Sequence, residues 1–217
     1  IRLLQERNVD VKVNGSITSE NVEDIDELFS IVDQMDTVWK FDTYMYPASR
    51  ERNILFDEKS RLTPEDAAVA RVKLMEKRMG KKDFHTFARQ FLQRSKAEPG
   101  ECTAGGVRCR AGKSSFTVNW QGMIRPCVML SIPEEPVFDV GFQIAWTRIL
   151  QQFENLRTSP ECNACTVRKV CQTCAACAVL ETGRFEGVPE YMCRYTKETI
   201  RLLKTTLMNE PGVGEDG

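Results

Sequence analysis

The chain has 217 residues, 41% hydrophobic and 28% charged, a balance that suits one large globular domain or two small ones. Its net charge of −1 supplies no global field to gather nucleic acid or an anionic membrane surface. No apolar run approaches the roughly 18–20 residues of a membrane span. Ile1 to Asn8 carries two arginines and a glutamate and lacks the apolar stretch of a secretory signal, so a cytoplasmic location is expected. The start at Ile1, without a methionine, fits a piece of a longer chain.

In chain order, Val9, Val11 and Val13 alternate with Asp10 and Lys12, which predicts a strand. Thr18 or Ser19 offers an N-cap ahead of Glu20, Glu23 and Asp24. Val22, Ile25, Leu28, Phe29, Val32 and Met35 then recur at helical spacing. Val38 to Tyr46 is aromatic and β-branched and stops at Pro47, a second strand. Strand–helix–strand predicts a parallel pair with a right-handed crossover, a unit too small to close a sheet alone. Ala48 to Arg61 reads as a charged loop. Thr63-Pro64-Glu65-Asp66 is a helix start, followed by an apolar stripe of Ala68, Val72, Met75 and Met79. Gly80 closes that helix, and another is expected over Asp83 to Ser95, with His85 on its surface. Pro99-Gly100 marks a boundary.

Beyond it, Phe116, Val118 and Trp120 alternate, Gln121-Gly122 turns, and Met123 to Cys127 returns as a hairpin. Ile144 to Leu156 predicts a helix, and Trp120 and Trp146 read as core residues. Pro160 to Cys177 reads as a cysteine-dense loop. Tyr195 to about Met208 predicts a last helix with Thr199, Ile200, Leu203 and Leu207 inward, and Pro211 to Gly217 a disordered tail.

All nine cysteines fall between Cys102 and Cys193. The dense part is Cys162-x2-Cys165-x5-Cys171-x2-Cys174-x2-Cys177, with Cys102, Cys109 and Cys127 upstream and Cys193 downstream. An odd count without an export signal argues against a disulfide framework, and core packing does not generate CxxC units. With a single histidine, any metal site must be almost all thiolate. A cluster of several irons needs four thiolates around a compact core, and isolated cysteines flanking a dense loop meet that need. Two zinc sites of four thiolates are the alternative, as a structural module without a redox role. Zinc ribbons, however, hold their pairs about 15–20 residues apart, against five residues between Cys165 and Cys171 here.

These residues resemble the SPASM domain, the C-terminal extension of many radical S-adenosylmethionine (SAM) enzymes. Cys109, twelve residues, Gly122, four residues and Cys127 match the first part of its pattern. Cys162, Cys165 and Cys171 match the next three cysteines and Cys193 the last. Gly112, Ser115, Pro126 and Trp146 stand in similar surroundings. One departure is clear: the fourth cysteine of the dense run should stand at 175, which is Ala175, between Cys174 and Cys177. Cys174 is preferred because it is nearer, with Cys177 spare or substituting.

The resemblance implies an α/β chain in three parts. Residues 1–100 would be the last β/α units of a partial TIM-type barrel with linker helices. Residues 101–208 would be a small, loop-rich α+β SPASM domain, and 209–217 a tail. It implies two auxiliary [4Fe-4S] clusters, one on Cys102, Cys109, Cys127 and Cys174, the other on Cys162, Cys165, Cys171 and Cys193. These would relay electrons or bind substrate while a peptide or protein is modified by a radical. SAM and a third [4Fe-4S] cluster would belong to the full-length enzyme. Flavodoxin or ferredoxin would be the reductant. The motif Cys-x3-Cys-x2-Cys that cleaves SAM is absent, so this chain is not expected to be active alone. A free-standing ferredoxin-like carrier is disfavoured by the strand–helix–strand ahead of the cysteines.

Overall fold

The structure is a computed structural model that describes residues 1–47, 59–96, 107 and 109–209. The chain divides into two units. One holds Ile1–Met45, Asp57–Ala97 and Cys193–Gly217; the other holds Tyr46–Phe56 and Glu98–Met192. The architecture is mixed helix and sheet, and no barrel is formed among the described residues. The expected loop lies largely outside them, and the expected tail does so beyond Asn209.

The first unit opens with a helical turn, α1 (Arg2–Gln5). Its closure delays the predicted strand: Val9 N–H donates to the Leu4 carbonyl and Asn8 takes a left-handed φ of 55°. Strand β1 therefore covers Lys12–Ser16. The expected helix start at Thr18 is also displaced. Thr18 N–H donates to Asn21 Oδ1 at 2.9 Å and Glu20 N–H to Thr18 Oγ1 at 3.3 Å. Such side-chain turns compete with helix for the same backbone groups. Helix α2 begins at Ile25 and runs Ile25–Asp33, burying Ile25 and Val32. The Gln5 amide then donates to the carbonyls of Met35 and Asp36 at 3.0 and 3.1 Å. Strand β2 (Val38–Asp42) pairs parallel with β1 from Lys12↔Val38 to Ser16↔Asp42, with α2 as the crossover. Phe29 meets Trp39 edge-on at 5.3 Å, fixing α2 on the sheet.

Helix α3 (Pro64–Met79) starts as predicted, with Thr63 Oγ1 accepting from Asp66 N–H at 3.1 Å and Pro64 in the first turn. Its buried stripe is Ala67, Ala68, Ala70 and Leu74, while Val72, Met75 and Met79 stay half-exposed. Lys73 and Lys77 both reach Asp26 of α2, Lys73 at 2.8 Å, and together hold its carboxyl below the usual value. Gly80, with φ of 75°, passes directly into α4 (Lys81–Ser95). His85 is buried, not on the surface as its polar helix suggested. It flanks the inward stripe of Phe84, Ala88 and Phe91, and its ring lies 6.0 Å from that of Phe84.

Helix α9 (Glu190–Met208) enters this unit at Cys193. Tyr195, Thr199, Ile200 and Leu203 are buried along it. Arg194 forks onto both Glu65 carboxylate oxygens at 2.9 and 2.8 Å. The Tyr195 hydroxyl lies 3.0 Å from Thr43 Oγ1, both groups buried.

In the second unit, β3 (Thr117–Val118) and β4 (Met123–Arg125) form the predicted antiparallel hairpin. A third strand, β5 (Glu135–Pro136), pairs with β4 and was not anticipated. Helices α5 (Val137–Val140) and α6 (Phe142–Phe153) follow. Ala145 and Ile149 of α6 bury Ile124 of β4. Trp146 packs against this cluster and is half-buried, with its ring stacked on Phe142. Trp120, expected in the core, is 80% exposed. The strand ends at Val118 and Asn119 begins the turn, so the inward alternation stops before Trp120.

Two measurements check this fold. Tyr195→Phe leaves the buried Thr43 hydroxyl without that partner and is expected to cost about 1–2 kcal/mol, read as a fall in Tm of a few degrees. Acrylamide quenching of fluorescence is expected to lose its most accessible component in Trp120→Phe, since Trp39 and Trp146 are both half-buried.

Candidate metal centre

Cys127 follows β4 and enters the loop that returns to β5. That loop is strapped across its neck: Arg125, 8% exposed, donates through Nε and Nη2 to Glu134 Oε2 at 2.9 and 2.5 Å. Behind it the hairpin tip is closed by Asn119, whose Oδ1 accepts from Gln121 and Met123 N–H. Gly122 completes that tip with φ of 77°, a backbone glycine adopts at little cost. Within the strapped loop, Leu130 N–H donates to the Cys127 carbonyl, and Met129 N–H donates to Cys127 Sγ at 3.4 Å.

Cys109 precedes a tight turn in which the Arg110 carbonyl accepts from the N–H groups of Lys113, Ser114 and Ser115. Ala111 N–H donates to Cys109 Sγ at 3.4 Å, the same relation that Met129 has to Cys127. Gly112 in this turn has φ of 63°, and a Cβ there would strike the ring of Phe153. Cys174 is the N-cap of α8 (Ala175–Thr182), with extended backbone. The partial positive charge of the helix N-terminus therefore lies beside it, complementing a negative ligand.

These three segments share one floor. Ala111, Leu130, Phe153 and Ala176 form a buried cluster, and Cys127 and Cys174 pack against it. Each cysteine segment thus contributes a buried residue two or three positions from its sulfur. Cys109, outside the floor and exposed, and Cys174 both act electrostatically on Cys127. The Cys127 thiol is pushed up first by burial, then by the neighbouring Cys174 and Cys109, against the lowering effect of the Met129 and Leu130 N–H groups. Burial and like charge both resist a lone thiolate here; a bound cation or cationic cluster would reverse that.

The second half of the constellation is built around turns. Helix α7 (Pro160–Ala164) starts at Ser159, whose hydroxyl accepts from Glu161 N–H at 3.1 Å. Cys162 is buried in it and Cys165 ends it. Arg168 N–H returns to the Cys165 carbonyl, and Cys171 N–H to that of Val167. The loop also encloses a polar pair that sequence reading missed. Arg168 and Thr173 are each 2% exposed, and Arg168 Nη1 donates to the Thr173 carbonyl at 2.7 Å. The Thr173 hydroxyl is buried without a hydrogen-bond partner, a condition that costs about 1–3 kcal/mol.

Of the nine predicted ligands, Cys102 lies outside the described residues. The other eight are thiols, none in a disulfide. Cys109, Cys127 and Cys174 are brought together. Cys177 is buried within α8 at 3% exposure, and Ala175 is fully buried in its first turn. Cys193 is carried by α9 in the first unit. Among the described residues, no three histidine, cysteine or acidic side chains converge as a ready site for a single ion. The Cys109, Cys127 and Cys174 sulfurs interact electrostatically without closing on one ion-sized point. The donor set is soft and all-thiol, with backbone N–H groups on the Cys109 and Cys127 sulfurs, which fits an iron–sulfur cluster.

Comparisons with protein-family models, with curated proteins and with solved structures gave no match to the chain.

Gly112→Ala places a side chain at positive φ against Phe153 and is expected to destabilise the second unit by about 2–4 kcal/mol. Thermal unfolding of the variant at the wild-type Tm, already mostly complete, is the sign to look for; an unchanged Tm sinks this account of the Cys109 turn.

Proposed function

We propose that this chain is the auxiliary-cluster region of a radical SAM enzyme of the SPASM type, with Cys109, Cys127 and Cys174 as thiolate ligands of one [4Fe-4S] cluster. The observation that carries this reading is the approach of Cys109 and Cys174 to Cys127 from three separate segments over a common apolar floor. Cysteines kept only for packing have no reason to face one another, since each would be buried as well against an aliphatic neighbour.

A bound cluster supplies one-electron chemistry, accepting or relaying an electron or holding substrate at an incompletely ligated iron. The chain's own residues prepare for it. N–H groups of Ala111 and Met129 offset thiolate charge on Cys109 and Cys127. Leu130 and Phe153 exclude water beneath the site. With three thiolates from the described residues, the fourth position falls to Cys102 or to substrate. Cys162, Cys165 and Cys171, on the α7 turn and the loop after it, are proposed for the second cluster.

The parallel β1–α2–β2 unit supports reading the N-terminal part as the last β/α units of a partial barrel. In that reading SAM and the third cluster are bound by a segment bearing Cys-x3-Cys-x2-Cys, which this chain lacks. The partners are then a peptide or protein substrate and a flavodoxin or ferredoxin, in the cytoplasm. No helix among the described residues is long and apolar enough to cross a membrane.

Anaerobic reconstitution of the 217-residue chain with iron and sulfide tests the proposal. The expected product is brown, absorbs near 400 nm and holds about eight irons with matching acid-labile sulfide. Cys127→Ser and Cys174→Ser should each bring this to about four irons, whereas Cys177→Ser should leave it unchanged. A colourless protein that takes up zinc instead, or an iron content indifferent to Cys127→Ser, overturns the reading.

A further inference from the structure

Thr173 stands between Cys171 and Cys174 and is 2% exposed, yet its Oγ1 has no hydrogen-bond partner. Its position is not slack. Arg168, also 2% exposed, holds the Thr173 carbonyl at 2.7 Å across the loop. On its far side, Cys174 begins α8, and the Cys174 carbonyl accepts from Ala178 N–H. A threonine fixed at both ends and sealed from water should have been a valine unless its hydroxyl has a partner that the polypeptide does not supply.

We infer that the Thr173 hydroxyl is a hydrogen-bond donor to the iron–sulfur cluster proposed above, and that it sets the cluster's reduction potential. This rests on the reading that Cys174 is a cluster ligand. A hydroxyl has one hydrogen to give, and the sulfurs of a cluster, thiolate or sulfide, are acceptors. Hydrogen bonds to these sulfurs raise the potential because added negative charge is stabilised by the donor. In the redox step, one electron enters from an external reductant such as dithionite; no bond is formed or broken, and the Thr173 proton stays on its oxygen. Arg168 is the positioning residue, since its grip on the carbonyl fixes where the hydroxyl stands.

The test compares Thr173→Val, which keeps the shape and removes the donor, with Thr173→Ser, which keeps the donor. Each is reconstituted in the full chain and titrated with dithionite under spectroscopic control. Thr173→Val is expected to shift the reduction equilibrium against the reduced form roughly tenfold, which is 59 mV for one electron, while Thr173→Ser stays near wild type. The cluster-free proteins are compared by thermal unfolding in parallel. There Thr173→Val is expected to be as stable as wild type or more so, because an unpartnered hydroxyl has been replaced by a methyl. A loaded Thr173→Val with wild-type potential overturns the inference, as does a cluster-free Thr173→Val that is markedly less stable, which would give the hydroxyl a structural partner. A Thr173→Val that is stable without cluster but fails to load also overturns the inference, because the hydroxyl would then be needed for assembly and not for setting the potential. If the wild-type chain itself binds no cluster, the functional proposal fails, an outcome distinct from the others.

Discussion

The arrangement of the second unit depends on a small apolar floor made by Ala111, Leu130, Phe153 and Ala176. The cysteines above it come from segments far apart in sequence, and nothing in a thiol by itself attracts another thiol. Two neighbouring thiolates repel. What gathers them is the burial of their neighbours. Each segment inserts one apolar residue into the same patch, and the sulfur a few atoms away is carried along. Two of these anchors are alanines, which allow the backbones of the Cys109 turn and of α8 to sit close to the aromatic face of Phe153. Gly112 carries the same logic further, because even a single carbon there would occupy the space of that ring.

The local electrostatics are balanced between two states. Without a ligand, burial and neighbouring sulfurs favour the neutral Cys127 thiol. The Met129 and Leu130 N–H groups pull the other way, as fixed donors that need no rearrangement when charge arrives. The same holds of the N-terminus of α8 beside Cys174. Such a site is poorly suited to a bare anion and well suited to a soft cation or cluster that brings its own positive charge. Rigidity matters as much as sign. The Arg125–Glu134 pair closes the Cys127 loop at its neck, and the Arg168–Thr173 bond crosses the loop that leads into Cys174. Donors held this way keep their distances when the charge on the site changes.

Local physics made part of this legible in sequence. Thr63-Pro64-Glu65-Asp66 announced α3 because capping acts within four residues, and alternation with helical spacing announced the parallel β1–α2–β2 unit. Other features depend on competition or on distance. The start of α2 was lost to the Thr18–Asn21 turn, where two side chains satisfy the backbone before a helix can. His85 was misplaced because a polar helix hides its inward stripe until its packing partners are known, and Trp120 because the strand expected to carry it stops at Val118. The short β5 has too few residues to carry a period. Spacing raised the expectation that the cysteines serve together, while the packing of Cys127 and Cys174 against one floor depends on contacts that no spacing encodes. The buried Thr173 was invisible, since a threonine in a polar loop reads as solvated.

Ala175 stands where the stricter pattern has a cysteine, and the geometry of α8 separates the two cysteines that flank it. A residue at 175 lies inside the first turn of α8, where helical dihedrals direct its side chain along the helix wall, and it is fully buried there. Position 174 is the cap, with φ of −140° and ψ of 176°, and an extended backbone swings its side chain clear of the helix. A cysteine moved back one residue thus exchanges a place in the wall for a place at the mouth, beside the positive end of the helix and within reach of Cys127. Cys177, one turn onward, is back in the wall at 3% exposure. Helix geometry thus favours Cys174 over Cys177 as the proposed ligand: the one nearer in sequence has the extended backbone, and the other is held in the helix wall.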